Sequence, residues 1–130
     1  MKPIQHRGIA AVEFAVAAPI ILVVAFGVLE LTNGIYLQQS VTIGAYEGAR
    51  VAILPNTDID NIRVAVEDIL ERRRVVGGTV SVDPVDTSTV PFGEPISVTV
   101  SVPLSQNRIF ANHFADNRNF EVTVTLMQER

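Results

Sequence analysis

The stretch from Gly8 to Leu29, GIAAVEFAVAAPIILVVAFGVL, constrains this chain more than any other, because it is almost wholly apolar and holds a single carboxylate, Glu13. A helix from Ile9 to Leu29, rising about 1.5 Å per residue, reaches ~30 Å, the hydrocarbon thickness of a bilayer. That length and composition predict a membrane anchor over 9–29. Lys2, His6 and Arg7 precede the run, whereas Glu30 closes it and no further Lys or Arg occurs until Arg50. By the positive-inside bias the N-terminus stays in the cytoplasm and everything after the anchor is exported, which in a bacterium places it beyond the inner membrane. A secretory signal would have a shorter apolar core, of about 7–15 residues, with its small-residue cleavage site after that core. Here the charge-free run from Phe14 to Leu29 is longer, and the glycine stands in front of it.

Once the anchor is set aside, roughly 75–100 residues remain, enough for one small domain. The chain has no cysteine, so disulfides and thiolate metal sites are excluded and stability must come from packing. Its formal net charge of −4 offers no basic face for nucleic acid. Phosphate-binding loops, metal-ligand spacings and nucleophile motifs are absent from the sequence, so neither cofactor nor metal is expected. His113 is the single histidine after the leader and Asp116 follows it in a loop-like stretch; a lone loop histidine reads as a surface residue, and the chain is not expected to be an enzyme.

Glu13 is the chemical anomaly of the anchor. An ionised side chain in an apolar span costs up to about 2.5–3.5 kcal/mol at the helix centre and less near the interface, so a partner is expected. Two readings stand at this point: the carboxylate reaches the headgroups by snorkelling, or it pairs with an amine and fixes helix register. Pro19 removes one helical hydrogen bond and predicts a local kink, which membrane helices tolerate. Alanines at 10, 11, 15, 17 and 18 suit either close helix approach or a lipid-facing surface.

Arg7-Gly8, four small or aliphatic residues, then Glu13-Phe14 resembles the cleavage site of type IVb prepilins of the Flp class. The resemblance implies a prepilin peptidase that cuts between Gly8 and Ile9 on the cytoplasmic side. Such a cut would remove a leader of residues 1–8, move the formal charge from −4 to −6 and place a new amine one helical turn from Glu13. Further on, Gly27-Val28-Leu29-Glu30 and Ala45-Tyr46-Glu47-Gly48-Ala49-Arg50 continue the pattern. In order and spacing, Arg7 to Ala52 resembles the TadE family, pseudopilins or minor pilins of the Flp or Tad pilus system. It departs from the family pattern at Tyr46, where a basic residue is common, and after Glu30, where leucine replaces a frequent aromatic. The implied site positions are Gly8 and Ile9 for cleavage, Glu13 and Phe14 for the prepilin-type motif, and Gly27, Glu30, Glu47, Gly48, Ala49 and Arg50 on the helix. The implied partners are the prepilin peptidase, other pilins or pseudopilins, the pilus assembly platform and the lipid bilayer.

The helix is predicted to run on through an exported extension, residues 30–54, with a stripe of Leu31, Ile35, Val41, Ala45, Ala49 and Ala52 and an irregularity near Asn33-Gly34, until Pro55 closes it. Gly44-x-x-x-Gly48 suits a domain lying close on that helix, and Glu47 with Arg50 suits a local pair. Residues 55–130 then read as a small exported domain. Thr57 or Asp58 caps an amphipathic helix to about Arg74, with Ile59, Ile62, Val66, Ile69 and Leu70 inward and Arg72 to Arg74 at its C-terminal end. After Gly77-Gly78 the period changes to alternation, predicting antiparallel strands over Thr79–Val82, Ile96–Val102 and Phe120–Leu126. The stretch from Asp83 to Pro95, with three prolines, is a loop, and Ile109, Phe110 and Phe114 are expected to fill the core through a short helical turn. The fold class is α+β: one long helix, half transmembrane and half exported, a second amphipathic helix and a sheet of about three strands. Two other functional classes remain at this point, an uncleaved single-span envelope protein whose exported domain binds a protein or ligand, and an exported enzyme.

Overall fold

In the computed structural model, residues 7–87, 90–109 and 118–128 are described. One helix, α1, spans Arg7–Ala52 without interruption and at about 1.5 Å per residue is ~70 Å long. It passes through both Pro19 and the Asn33-Gly34 pair, so the irregularity expected at Asn33-Gly34 does not occur. A turn at 53–58 leads to α2, Ile59–Arg72, and then to three strands, β1 Thr79–Asp83, β2 Pro95–Pro103 and β3 Asn119–Met127. A short 3-10 turn at Leu104–Gln106 follows β2.

Each element follows from local chemistry. Asp58 sits in extended conformation ahead of α2 and its Oδ1 accepts the Ile59 N–H at 2.7 Å, meeting one of the donors that a helix start leaves free. Ile62, Val66 and Leu70 recur at helical spacing and are buried. The helix stops at Arg72, two residues before the expected end, because Arg74 turns left-handed at φ 57°. There the Val75 N–H reaches the Leu70 carbonyl and the Arg74 N–H the Glu71 carbonyl, both at 2.9 Å, which is a Schellman closure with arginine where glycine is usual. The strands form an antiparallel meander in the order β1-β2-β3, with Val100 opposite both Val80 and Val122, and Val98 opposite both Val82 and Val124. Alternation sends Ile96, Val98, Val100 and Val102 inward, all fully buried. Serines and threonines face outward, joined across strands by the Ser97–Thr125 and Thr99–Thr123 hydroxyl pairs at 2.8 Å.

The core lies between this sheet, α2 and the second half of α1. From α1 it takes Leu37, Val41, Ala45, Ala49 and Ala52. Leu31 and Ile35, predicted for the buried stripe, are instead 67% and 50% exposed, and the buried face starts at Leu37. They lie where the helix still climbs from its apolar run toward the domain, so apolarity there does not mark a core contact. Ile109 is likewise exposed and does not fill the core, whereas Leu104 packs against its edge. Phe110 and Phe114 lie outside the described residues. The loop after β1 is held by Thr87, whose buried hydroxyl donates to the Thr57 carbonyl at 2.7 Å.

The helix can lie this close to the sheet because of one glycine. A Cβ on Gly48 would stand 2.6 Å from Val66 Cγ2 and 3.1 Å from Val98 Cγ1, whereas one on Gly44 would meet its nearest neighbours at an ordinary 3.6 Å. Both facing valines are fully buried and stiff at χ1, so the surroundings of Gly48 cannot yield. Gly48→Ala is therefore expected to destabilise by about 1–3 kcal/mol through overpacking. Gly44→Ala should be neutral or gain up to about 1 kcal/mol from helix propensity. Thermal melting of the two variants in detergent, followed by circular dichroism, checks the contrast.

Candidate functional site

The site positions implied by the sequence, from Gly8 to Arg50, all sit on α1 and are strung along it. Gly8 and Ile9 lie in its first turn, and a Cβ on Gly8 would meet open space. Glu13 and Phe14 follow one turn later, both exposed, Phe14 by 71%. Ile9 and Glu13 are four residues apart and share a face. Residues 1–6 of the leader, Lys2 and His6 among them, lie outside the described residues, as do His113 and Asp116.

From Gly8 onward α1 is long and apolar enough to cross a membrane, and none of that apolar window is buried against the rest of the protein. Val16, Ile20, Val23, Val24 and Val28 are each more than half exposed. In water such a rod would strand a large apolar area at an unfavourable ~25 cal/mol per Å²; in lipid the same surface is at home. The arrangement suits a single-pass membrane protein.

The second half of α1 is governed by packing instead. Ala45, Gly48 and Ala49 are buried against α2 and β2, and Ala52 closes the same face. Glu47 and Arg50 lie beside that face and pair at 2.9 Å, with Arg50 65% exposed. A pair that open to solvent contributes only a few tenths of a kcal/mol.

Between these halves, where α1 leaves its apolar run, the domain grips the helix through polar contacts that the sequence alone did not single out. Asn33 Nδ2 donates to the Asn107 carbonyl at 2.7 Å, and the Tyr36 hydroxyl donates to the Arg73 carbonyl at 3.2 Å. Glu30 faces Arg108, with Nε and Oε1 4.0 Å apart. Asn107 is the hub: its side chain accepts the Val76 N–H at 2.8 Å and donates to the carbonyls of Val76 and Pro103 at 2.8 and 2.9 Å. One asparagine thus ties the turn before β1 to the end of β2 while its own carbonyl holds α1. The available signals were the polar Asn33-Gly34 pair inside an apolar helix and the Gln106-Asn107-Arg108 cluster after β2, neither of which reveals its partner from sequence.

Comparison with protein families bears on the long helix. Residues 8–50 match the family described as TadE-like protein. The TadE-like stretch begins at the glycine of the first turn and ends two residues short of the end of α1, so it takes in every motif residue from Gly8 to Arg50. The second helix and the sheet lie outside it. Comparison with curated proteins and with solved structures finds no match. Within the TadE-like stretch, Gly48 and its neighbouring alanines have a packing reason, whereas among the described residues none packs against the helix at Gly8.

Two variants separate the contacts that carry stability from those that do not. Asn107→Ala removes three hydrogen bonds and leaves the Val76 backbone groups to water, so a loss of about 1–3 kcal/mol is expected. Arg50→Gln removes only an exposed pair and should shift stability by less than about 0.5 kcal/mol. Melting curves in detergent distinguish them.

Proposed function

We propose that this chain is a pseudopilin or minor pilin of the Flp/Tad type IVb pilus system, an assembly subunit rather than an enzyme. The observation that carries the reading is a coincidence on one helix. The TadE-like match, the membrane-length exposed run and the Gly8, Glu13-Phe14 motif all occupy the same residues. Residues 9–29 hold the subunit in the bacterial inner membrane, and the basic residues before the run keep its N-terminus in the cytoplasm. The prepilin peptidase cuts between Gly8 and Ile9, in the first helical turn, where backbone N–H groups lack intrahelical partners and the helix opens most easily.

The cut converts a charged leader into a free amine one turn from Glu13. An ammonium and a carboxylate ~4 Å apart attract by ~4 kcal/mol at an effective dielectric of 20, before the cost of removing both from water is subtracted. That attraction sets the register of one anchor helix against another in the bilayer, while the exported domain meets other pilins, pseudopilins and the assembly platform. A subunit of this kind works by packing, which accords with functional residues spread along a rod.

The test is the N-terminal sequence of the protein recovered from membranes, with and without a co-expressed prepilin peptidase. The expected result is a peptidase-dependent start at Ile9 that is lost in Gly8→Ala. A start at Met1 in both samples would instead favour an uncleaved single-span envelope protein.

A further inference from the structure

Beside the helix grip lies a groove of about 620 Å³ that no part of the function above uses. Gly27, Glu30, Leu31 and Gly34 line it from α1, on one helical face, and Arg108 and Phe120 line it from the domain. Its wall is mostly apolar, and Cβ atoms built on Gly27 and Gly34 would meet nothing within 4 Å, so the helix is notched along this face. The lower end of the groove, at Gly27, is inside the apolar run, and its upper end, at Gly34, is about two turns higher. With 9–29 in the hydrocarbon, the groove opens at headgroup depth.

Two charges stand there incompletely matched. Glu30 Oε1 is 4.0 Å from Arg108 Nε, too long for a hydrogen bond, and Glu30 Oε2 is buried with no hydrogen-bond partner among the described residues. Both side chains are part-exposed, Arg108 28% and Glu30 35%, and both line the groove. A part-exposed carboxylate that meets its guanidinium only at 4.0 Å leaves room for an N–H donor on its open side, and the part-exposed guanidinium leaves room for a phosphate. A quaternary ammonium carries no N–H, whereas a primary ammonium carries three.

We infer that this groove binds one phospholipid of the surrounding leaflet that bears a primary amine, a phosphatidylethanolamine, with its phosphate on Arg108, its ammonium on Glu30 and an acyl chain along the Gly27 notch. The zwitterion matches the one positive and one negative group on the protein, and the apolar floor leads from that pair into the bilayer. An anionic headgroup without an amine would place negative charge against Glu30. Bound there, the lipid joins the helix to the domain at the membrane surface and fixes how far the subunit is drawn out of the bilayer.

The inference rests on the membrane reading of α1, so carbonate extraction of membranes comes first: release of the protein would overturn both. For protein that stays in the membrane, the full chain is purified in mild detergent. Native mass spectrometry then follows its adducts with equimolar, acyl-matched phosphatidylethanolamine and phosphatidylcholine. Wild type is expected to favour the ethanolamine lipid by about fivefold to tenfold, the scale of one charge-assisted hydrogen bond. Glu30→Gln should bring the two lipids near parity, Arg108→Ala should reduce both adducts, and Glu121→Gln, on the outer face of the sheet, should change neither. A series on wild type alone, with N-methyl and N,N-dimethyl ethanolamine lipids between the two extremes, should weaken as N–H donors are removed, independently of whether a variant folds. Parity in wild type, or a preference that survives Glu30→Gln, would overturn the lipid assignment while leaving the pseudopilin reading intact.

Discussion

The structure depends on the close approach of α1 to α2 and the sheet along Gly44, Ala45, Gly48, Ala49 and Ala52. Small residues at that spacing bring the helix backbone near enough for Val66 and Val98 to fill the space a side chain would take. Burying the valines and isoleucines of α2 and β2 gains about 1.5–3 kcal/mol per side chain, and that gain is available only because a helix surface lies within reach. Without the second half of α1, one face of a three-stranded sheet would be uncovered, and such a sheet needs a packed face to persist. Residues 30–54 and 55–130 therefore share one core, and the extension is as much part of the domain as of the anchor.

A single helix that meets two solvents must change its surface rule part-way. From Gly8 to Leu29 the helix is apolar all round, as lipid requires; from Leu37 onward only one face is buried. The changeover falls at Glu30 to Tyr36, which is where the polar contacts from Asn107, Arg108 and Arg73 gather. Those contacts set the height of the domain above the apolar run and brace the helix where Gly34 would otherwise weaken it. Anything that acts on the apolar run acts on a lever joined to the domain through one continuous helix.

Much of this was legible in the residues. The strands declared themselves because Ser and Thr alternate with Val, and the alternation has one meaning when only one face is covered. Helix α2 was legible from its apolar period and Asp58. The buried stripe of α1 was read rightly at Val41, Ala45, Ala49 and Ala52 but begun too early, at Leu31 and Ile35, because apolar residues beside a membrane run look the same whether they face lipid, solvent or a core. Helix α2 ended at Arg72 and not at about Arg74, since arginine carries no sequence signal for the left-handed turn that Arg74 makes. Asn107 was invisible for another reason: two of its three side-chain hydrogen bonds go to the backbone of Val76, 31 residues away and itself unremarkable. The motif at Gly8 to Phe14 shows the reverse: it is legible as a motif, yet no described part of the domain packs against that end of the helix.

Amide hydrogen exchange of the protein in lipid nanodiscs, read along α1 by mass spectrometry, tests the continuous lever most directly. One unbroken helix predicts slow exchange from the anchor through Asn33 and Gly34 and on to Ala49, with no fast segment at the membrane surface. Rapid exchange confined to about residues 30–36, between two protected blocks, would mean a hinge at the bilayer surface and would contradict a domain braced rigidly on its anchor.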